Sequence, residues 1–326
     1  MTEMTDTHHI LDDIDNPDIQ DLRSRLEDLD PGVRRIALID LADFEDPDGL
    51  AWLVNRLRVD AAAEVRSEAA RLLEAWEDTE VVQALCEALT DPEPGVRAAA
   101  AQSLSVLKSE DAGRVILPWA THAEADVRVA AFRALRELRL GEAAPAAIQA
   151  LQDADASVRR EAIGVLGWLK NIDALHALAQ LASADADTDV RRAATGALGL
   201  ASDERVLPAL RQALLDQAWQ VREEAATTLG KVGRQEAGPA LIAALQDEYW
   251  QVRLRATRSL GRLRYLPALA ALIETLRHSI SNLRKEAALS LGELGDKGAL
   301  AALQAAQQDG DPEVRKAVRI ALVQLQ

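Results

Sequence analysis

At 326 residues, with 48% hydrophobic but only 3% aromatic side chains, the chain has to build its core from Ala, Leu and Val, residues suited to close helix packing. Its 53 acidic and 37 basic side chains leave a net charge of −16, which repels the phosphate backbone and argues against nucleic-acid binding through the whole surface. The single cysteine, Cys86, excludes an internal disulfide and a zinc site made of clustered cysteines. Neither a basic-then-apolar leader nor a run of about 18 apolar residues is present, so a soluble, cytoplasmic protein without a membrane partner is expected.

In chain order, residues 1–15 read as an acidic, mobile tail that includes His8 and His9. Asn16 followed by Pro17 has the form of an N-cap and first helical residue, which places the first helix there. From this point to residue 326 one unit recurs. Val-Arg pairs stand at Val33, Val65, Val96, Val127, Val158, Val190, Val221, Val252 and Val314, with Leu283-Arg284 completing the series, and the spacing is 31 residues in seven intervals and 32 in two. Eight positions after every anchor comes Leu, and four positions after it comes Ala in nine repeats and Val318 in the tenth. Offsets 0, 4, 8 and 11 share one stripe of a helical wheel, so each anchor opens an amphipathic helix, here called helix B.

A second apolar-periodic segment precedes each anchor and forms a helix A, several with proline near the start (Pro145, Pro208, Pro239). One such hairpin cannot bury both faces alone, so neighbours must stack into a quasi-one-dimensional array. Glycine recurs at offset 9 (Gly167, Gly199, Gly230, Gly261, Gly292), where either close packing against the next unit or helix termination would place it. Five residues before the anchor stands Asp in eight repeats, replaced by His122 and His278 in the other two. Such an acid can cap helix B or face the anchor arginine, within or between units. The ten anchor arginines are therefore read as structural, and the two histidines as turn residues.

Asp before Val-Arg-x-x-Ala, then Leu-Gly-x-Leu-Gly as at Leu291-Gly292-Glu293-Leu294-Gly295, resembles the HEAT-like repeat of the phycobilisome-lyase type. The resemblance covers residues 16–326. It implies an all-α fold, a right-handed α-solenoid of about ten helical hairpins whose B helices line the concave surface. That family includes bilin lyases, a di-iron hydroxylase and many adaptors, so fold alone does not select a function. The di-iron members carry His-Glu pairs, and this sequence has no His-Glu dipeptide. No metal site, cofactor or catalytic residue is assigned. Cys86, in an apolar helix A beside Glu87, reads as a small buried hydrophobe.

The most distinctive surface falls in repeat eight. Arg255, Arg258 and Arg262 occupy offsets 3, 6 and 10, on the face opposite the core stripe, with Tyr249 and Trp250 beside them and Trp219 at the register of Trp250 one repeat earlier. Trp168 stands at offset 10 of its own helix. Residues 251–290 hold eight basic and two acidic side chains, whereas residues 1–30 hold two basic and ten acidic ones. Arginine and aromatic side chains are enriched at binding hot spots. These seven residues are the expected partner-binding set, for a protein client with an acidic patch or tail, in a non-catalytic scaffold, adaptor or assembly factor. The alternative is a bilin-lyase-like factor that attaches a prosthetic group to its client. The last helix carries Val314, Val318, Leu322 and Leu325 on its stripe, which leaves self-association through the C-terminal repeat as a further expectation.

Overall fold

The structure, a computed structural model, describes residues 17–200 and 204–326. The expected N-terminal tail, His8, His9 and the N-cap Asn16 lie outside the described residues. Twenty α-helices succeed one another, and no strand occurs among the described residues. The chain is an α-solenoid.

Two compact units divide at Val165/Leu166, within α10. The first contains the hairpins α1 (Pro17–Leu26) and α2 (Pro31–Ala42), α3 (Leu50–Val59) and α4 (Ala63–Leu72), α5 (Thr79–Glu87) and α6 (Pro94–Ser105), α7 (Glu110–Ile116) and α8 (Ala125–Leu138), then α9 (Ala144–Ala150) and most of α10 (Ala156–Trp168). The second contains α11 (Leu175–Ala184) and α12 (Thr188–Leu198), α13 (Leu207–Ala213) and α14 (Trp219–Val232), α15 (Gly238–Ala244) and α16 (Trp250–Leu263), α17 (Leu269–Thr275) and α18 (Ser281–Leu294), α19 (Leu300–Ala305) and α20 (Pro312–Gln324). Many A helices are short because a 3₁₀ turn precedes or closes them, as at Gly141–Ala143 and Leu117–Thr121. Pro145, Pro208 and Pro239 occupy first-turn positions, where the missing amide donor is harmless.

The core keeps to the repeat offsets. All nine offset-4 alanines and Val318 are fully buried, as are the anchors from Val65 to Val314 and the offset-8 leucines from Leu41 to Leu291. Only the ends depart from this, with Val33 and Leu322 half-buried. Within each unit, successive B helices pack side by side, α14 on α16, α16 on α18 and α18 on α20 being the most extensive cases.

Glycine at offset 9 sits at these helix-to-helix contacts. A Cβ on Gly199 would lie 2.6 Å from Cγ2 of Thr228, and one on Gly261 would lie 2.7 Å from Cα of Ser290. The glycine therefore serves close packing. In α8, α14, α16 and α18 termination comes three residues later, at offset 12, where Gly233 and Gly295 adopt φ of 73° and 77° and Arg139 and Arg264 adopt the same left-handed conformation, whereas in α12 Gly199 also forms the C-cap. Serine at offset 7 completes the seam. Ser259 Oγ donates to Ala226 O at 2.8 Å and Ser290 Oγ to Thr257 O at 3.0 Å, which satisfies buried polar groups between neighbouring helices.

Candidate partner-binding surface

The anchor arginines build a ladder from repeat to repeat. Each Nη1 donates to the two turn carbonyls before its own helix B, as Arg222 does to Asp216 O at 2.8 Å and Gln217 O at 3.2 Å. The fork of Nε and Nη2 reaches forward to the Asp of the next repeat. Arg34 grips Asp60 this way at 2.8 and 2.7 Å, Arg66 grips Asp91 at 2.7 and 2.9 Å, and Arg222 grips Asp247 at 2.6 and 3.0 Å. Arg128–Asp153, Arg191–Asp216 and Arg284–Asp309 repeat the geometry. These are bidentate, charge-assisted pairs. Burial alone would raise the Asp247 pKa, but the Arg222 fork and the Tyr249 backbone N–H outweigh it and hold that carboxyl below its ordinary range.

The ladder Asp does not cap helix B. Its Oδ1 accepts from the backbone amide two residues on and closes the A–B turn, as Asp309 does from Asp311 N at 2.8 Å. The N-cap is that second residue: Asp30, Asp187 and Asp311 each accept from a first-turn amide of their helix. His122 and His278 reproduce the turn closure, their Nδ1 atoms accepting from Glu124 N at 3.2 Å and Ile280 N at 3.0 Å. Neither can supply the carboxylate that the preceding arginine meets elsewhere.

On the outer face of the B helices a second set of ion pairs links neighbours. Arg258 clasps Glu286 with Nε–Oε1 2.8 Å and Nη2–Oε2 3.1 Å, and Arg255 reaches back to Glu223 at 3.0 Å. Arg133 and Arg136 converge on Glu161 at 3.2 and 3.1 Å. Glu286 and Glu161 are both buried. Two of the three arginines singled out in repeat eight are thus engaged within the fold. Arg262 is exposed and has no ion-pair partner among the described residues. A single helical wheel misses the glutamates because it shows only exposure. Their signal is an Arg at offset 6 answered by a Glu at offset 3 one repeat later, the arrangement of both Arg133–Glu161 and Arg258–Glu286.

The aromatic residues fall into two places. Trp219 and Trp250 open α14 and α16, and the Trp219 ring stacks on Tyr249 with centroids 5.6 Å apart and planes 17° from parallel. Arg222 also lies over the Tyr249 ring, its guanidinium carbon 5.5 Å from the centroid. Tyr249 is 39% and Trp250 37% exposed. Trp168, at the end of α10, is 48% exposed and separate from this cluster in sequence. Tyr249 and Trp250 precede the arginine face of the same helix, so α16 carries an aromatic N-terminal end and a basic outer face.

Cys86 is fully buried in α5, and burial with Glu87 nearby pushes its thiol up to about 12. Among the described residues no group of three or more His, Cys, Asp or Glu could hold a metal ion, and no helix is long and apolar enough to cross a membrane.

HEAT repeats match the chain over residues 50–118, 113–199, 175–252 and 238–323. No curated protein matches it. An engineered protein of known structure is similar at 22% identity, covering 94% of this chain and 98% of that one with a TM-score of 0.53. YibA of Escherichia coli is similar at 22% identity over 82% of this chain and 98% of its own, TM-score 0.60. Yeast importin-beta, Kap95p, superposes with a TM-score of 0.67 at 14% identity, over 94% of this chain and 50% of the importin. At these identities the structures speak to fold alone; the HEAT-repeat match, which spans most of the chain, shows that it belongs to the HEAT-repeat family.

Proposed function

We propose that the protein is a non-catalytic scaffold or adaptor of the phycobilisome-lyase-like HEAT branch, and that it holds a protein client on the surface formed by α14, α16 and α18. The observation that carries this reading is the aromatic step in which half-buried Trp219 stacks on exposed Tyr249, with exposed Trp250 next to it, on helices that also present the exposed Arg262. Rigid aromatic rings beside arginine provide area at low entropic cost, which is how binding hot spots are built. Eight basic against two acidic residues over 251–290 favour an acidic patch or tail on the client. The similar solenoid Kap95 is known in complex with Nup1, a use of the fold that the proposal extends to this chain.

Affinity capture from native lysate with mass spectrometry identifies the client, and calorimetry with purified client then tests the surface. Trp250→Ala and Arg262→Ala should weaken binding without unfolding the chain. Unchanged affinity in the folded double variant would remove this surface from consideration. Recovery of a client carrying a newly attached prosthetic group would instead assign the lyase-like role.

A further inference from the structure

Every A–B turn of the array is closed by a hydrogen bond to the side chain five residues before the anchor. In eight repeats that side chain is Asp, whose Oδ1 accepts from the backbone amide two residues on at 2.8–2.9 Å, from Asp28 with Asp30 N to Asp309 with Asp311 N. The ninth repeat closes its turn with imidazole, His278 Nδ1 accepting from Ile280 N at 3.0 Å. The two acceptors answer a proton differently. A carboxyl that takes up a proton keeps a carbonyl oxygen able to accept, whereas an imidazolium carries N–H on both ring nitrogens and has no lone pair left. The Ile280 bond therefore exists only while Nδ1 is bare. The start of α18 has no side-chain cap in reserve, since its N-cap is Ile280 itself.

The surroundings of His278 hold no uncommitted carboxylate that would steady an imidazolium. From α16, Arg253 keeps Nη1 on Asp247 O at 2.8 Å, but its fork meets no carboxylate among the described residues and its buried Nε has no acceptor. From α18, Arg284 Nη1 donates to His278 O at 2.9 Å. Arg277, next to the ring in sequence, pairs with Glu274 of α17. On the turn before α20, Asp309 is taken by the Arg284 fork and Asp311 by Glu313 N and Ser281. Upstream, Glu248 pairs with Arg222.

Burial, then Arg253 and Arg284, hold the His278 pKa below the ordinary 6.5. Because the folded value is depressed, the stabilisation from the neutral ring is complete above 6.5 and is lost as pH falls through the folded value. The Asp turns keep theirs until pH drops below 3.8. His122 closes its own turn in the same way, with Glu124 N at 3.2 Å, but that segment carries the acids Glu124 and Asp126 where the ninth repeat has Ile280 and Asn282.

We propose that the turn at His278 is a proton-operated joint of the second compact unit: uptake of one proton from solvent at Nδ1 releases the Ile280 amide, sets an imidazolium beside Arg253 and Arg284, and loosens the start of α18 at a pH where the Asp turns stay closed. Of the helices proposed to hold a client, α18 is the one this joint controls, but the joint itself needs no client.

The test follows solvent exchange of backbone amides in the full chain by NMR, from about pH 7.5 to about pH 4.5, with each rate divided by its intrinsic value at that pH. Protection of Ile280 N should fall about tenfold over this range, the scale of one hydrogen bond. Protection of Tyr249 N, which Asp247 closes one repeat earlier at 2.9 Å, should hold. His278→Asn keeps a side-chain acceptor and cannot take up a proton, so its Ile280 protection should stay level. His278→Asp, with the residue that eight repeats use, should stay level as well, and its melting midpoint should exceed that of the wild-type chain by a margin that grows as pH falls. Unchanged Ile280 protection in the wild-type chain, or the same fall in either variant, would overturn the proposal.

Discussion

Replacing Arg258 by Ala tests how much of the basic face of α16 is structural. Arg258 is 44% exposed, but its partner Glu286 is only 7% exposed and receives two short hydrogen bonds from it, at 2.8 and 3.1 Å. Breaking a fully buried ion pair costs about 3–5 kcal/mol because one charge is left uncompensated. Solvent reaches the arginine side of this pair and screens part of that cost. A loss of about 1–2 kcal/mol is therefore expected for Arg258→Ala, against no more than about 0.5 kcal/mol for the exposed, unpaired Arg262→Ala. Urea midpoints of the two variants, measured under identical conditions, make the comparison. Adding Glu286→Gln to Arg258→Ala should recover part of the loss, because an amide is less costly to bury than a carboxylate. Equal midpoints for Arg258→Ala and Arg262→Ala would refute the claim that the pair with Glu286 stabilises the α16–α18 seam.

Acid should destabilise the array. The carboxyls of Asp60, Asp91, Asp153, Asp216, Asp247 and Asp309 lie below their ordinary 3.8, where pairing with arginine and with turn amides outweighs burial. Because these folded-state values are depressed, the stabilisation is complete above the unfolded value near 3.8 and is lost as pH falls through the folded values, which a thermal midpoint series below pH 5 will show. A midpoint that stays flat from pH 5 down to full protonation would contradict the ladder's contribution. Gly261→Ala should cost about 1–3 kcal/mol, since its Cβ would lie 2.7 Å from Cα of Ser290 and force α16 away from α18. Gly95→Ala, whose Cβ meets nothing within 4 Å, is the matched control on a thermal melt.

The repeat is legible in the sequence because packing imposes it directly. A buried Ala at offset 4 and Leu at offset 8 recur wherever two B helices must meet, so a period of 31 residues translates into stacked hairpins. Even the ladder has a linear signature, because Arg and the next Asp stand 25 or 26 residues apart in forked pairs from Arg34–Asp60 to Arg284–Asp309. The fate of Arg255 and Arg258 is not legible from one wheel. Whether an outer-face arginine meets a glutamate depends on the stagger between neighbouring helices, and Glu223 precedes Arg255 by a repeat whereas Glu286 comes one repeat after Arg258. Glycine at offset 9 is ambiguous for a related reason: at Gly261 only the position of Ser290 across the seam shows close approach rather than a helix stop, while Gly199 meets Thr228 and also ends α12. The aromatic step is visible as residue types, but the stacking of Trp219 on Tyr249 depends on two successive turns being brought together.

The ladder joint has a direction. In each repeat the Asp serves the neighbour upstream and the Arg serves the neighbour downstream, so a duplicated repeat arrives with both halves of the next junction already in its sequence. An array built this way can lengthen by copying a single segment, with no new interface to invent. A repeat that begins with His keeps its hold on the repeat downstream and surrenders the carboxylate bond to the repeat upstream, as Arg284 still grips Asp309 while the Nε of Arg253 is left without an acceptor. His122 and His278 therefore act as punctuation in an otherwise uniform text, marking the two junctions held without the ladder carboxylate.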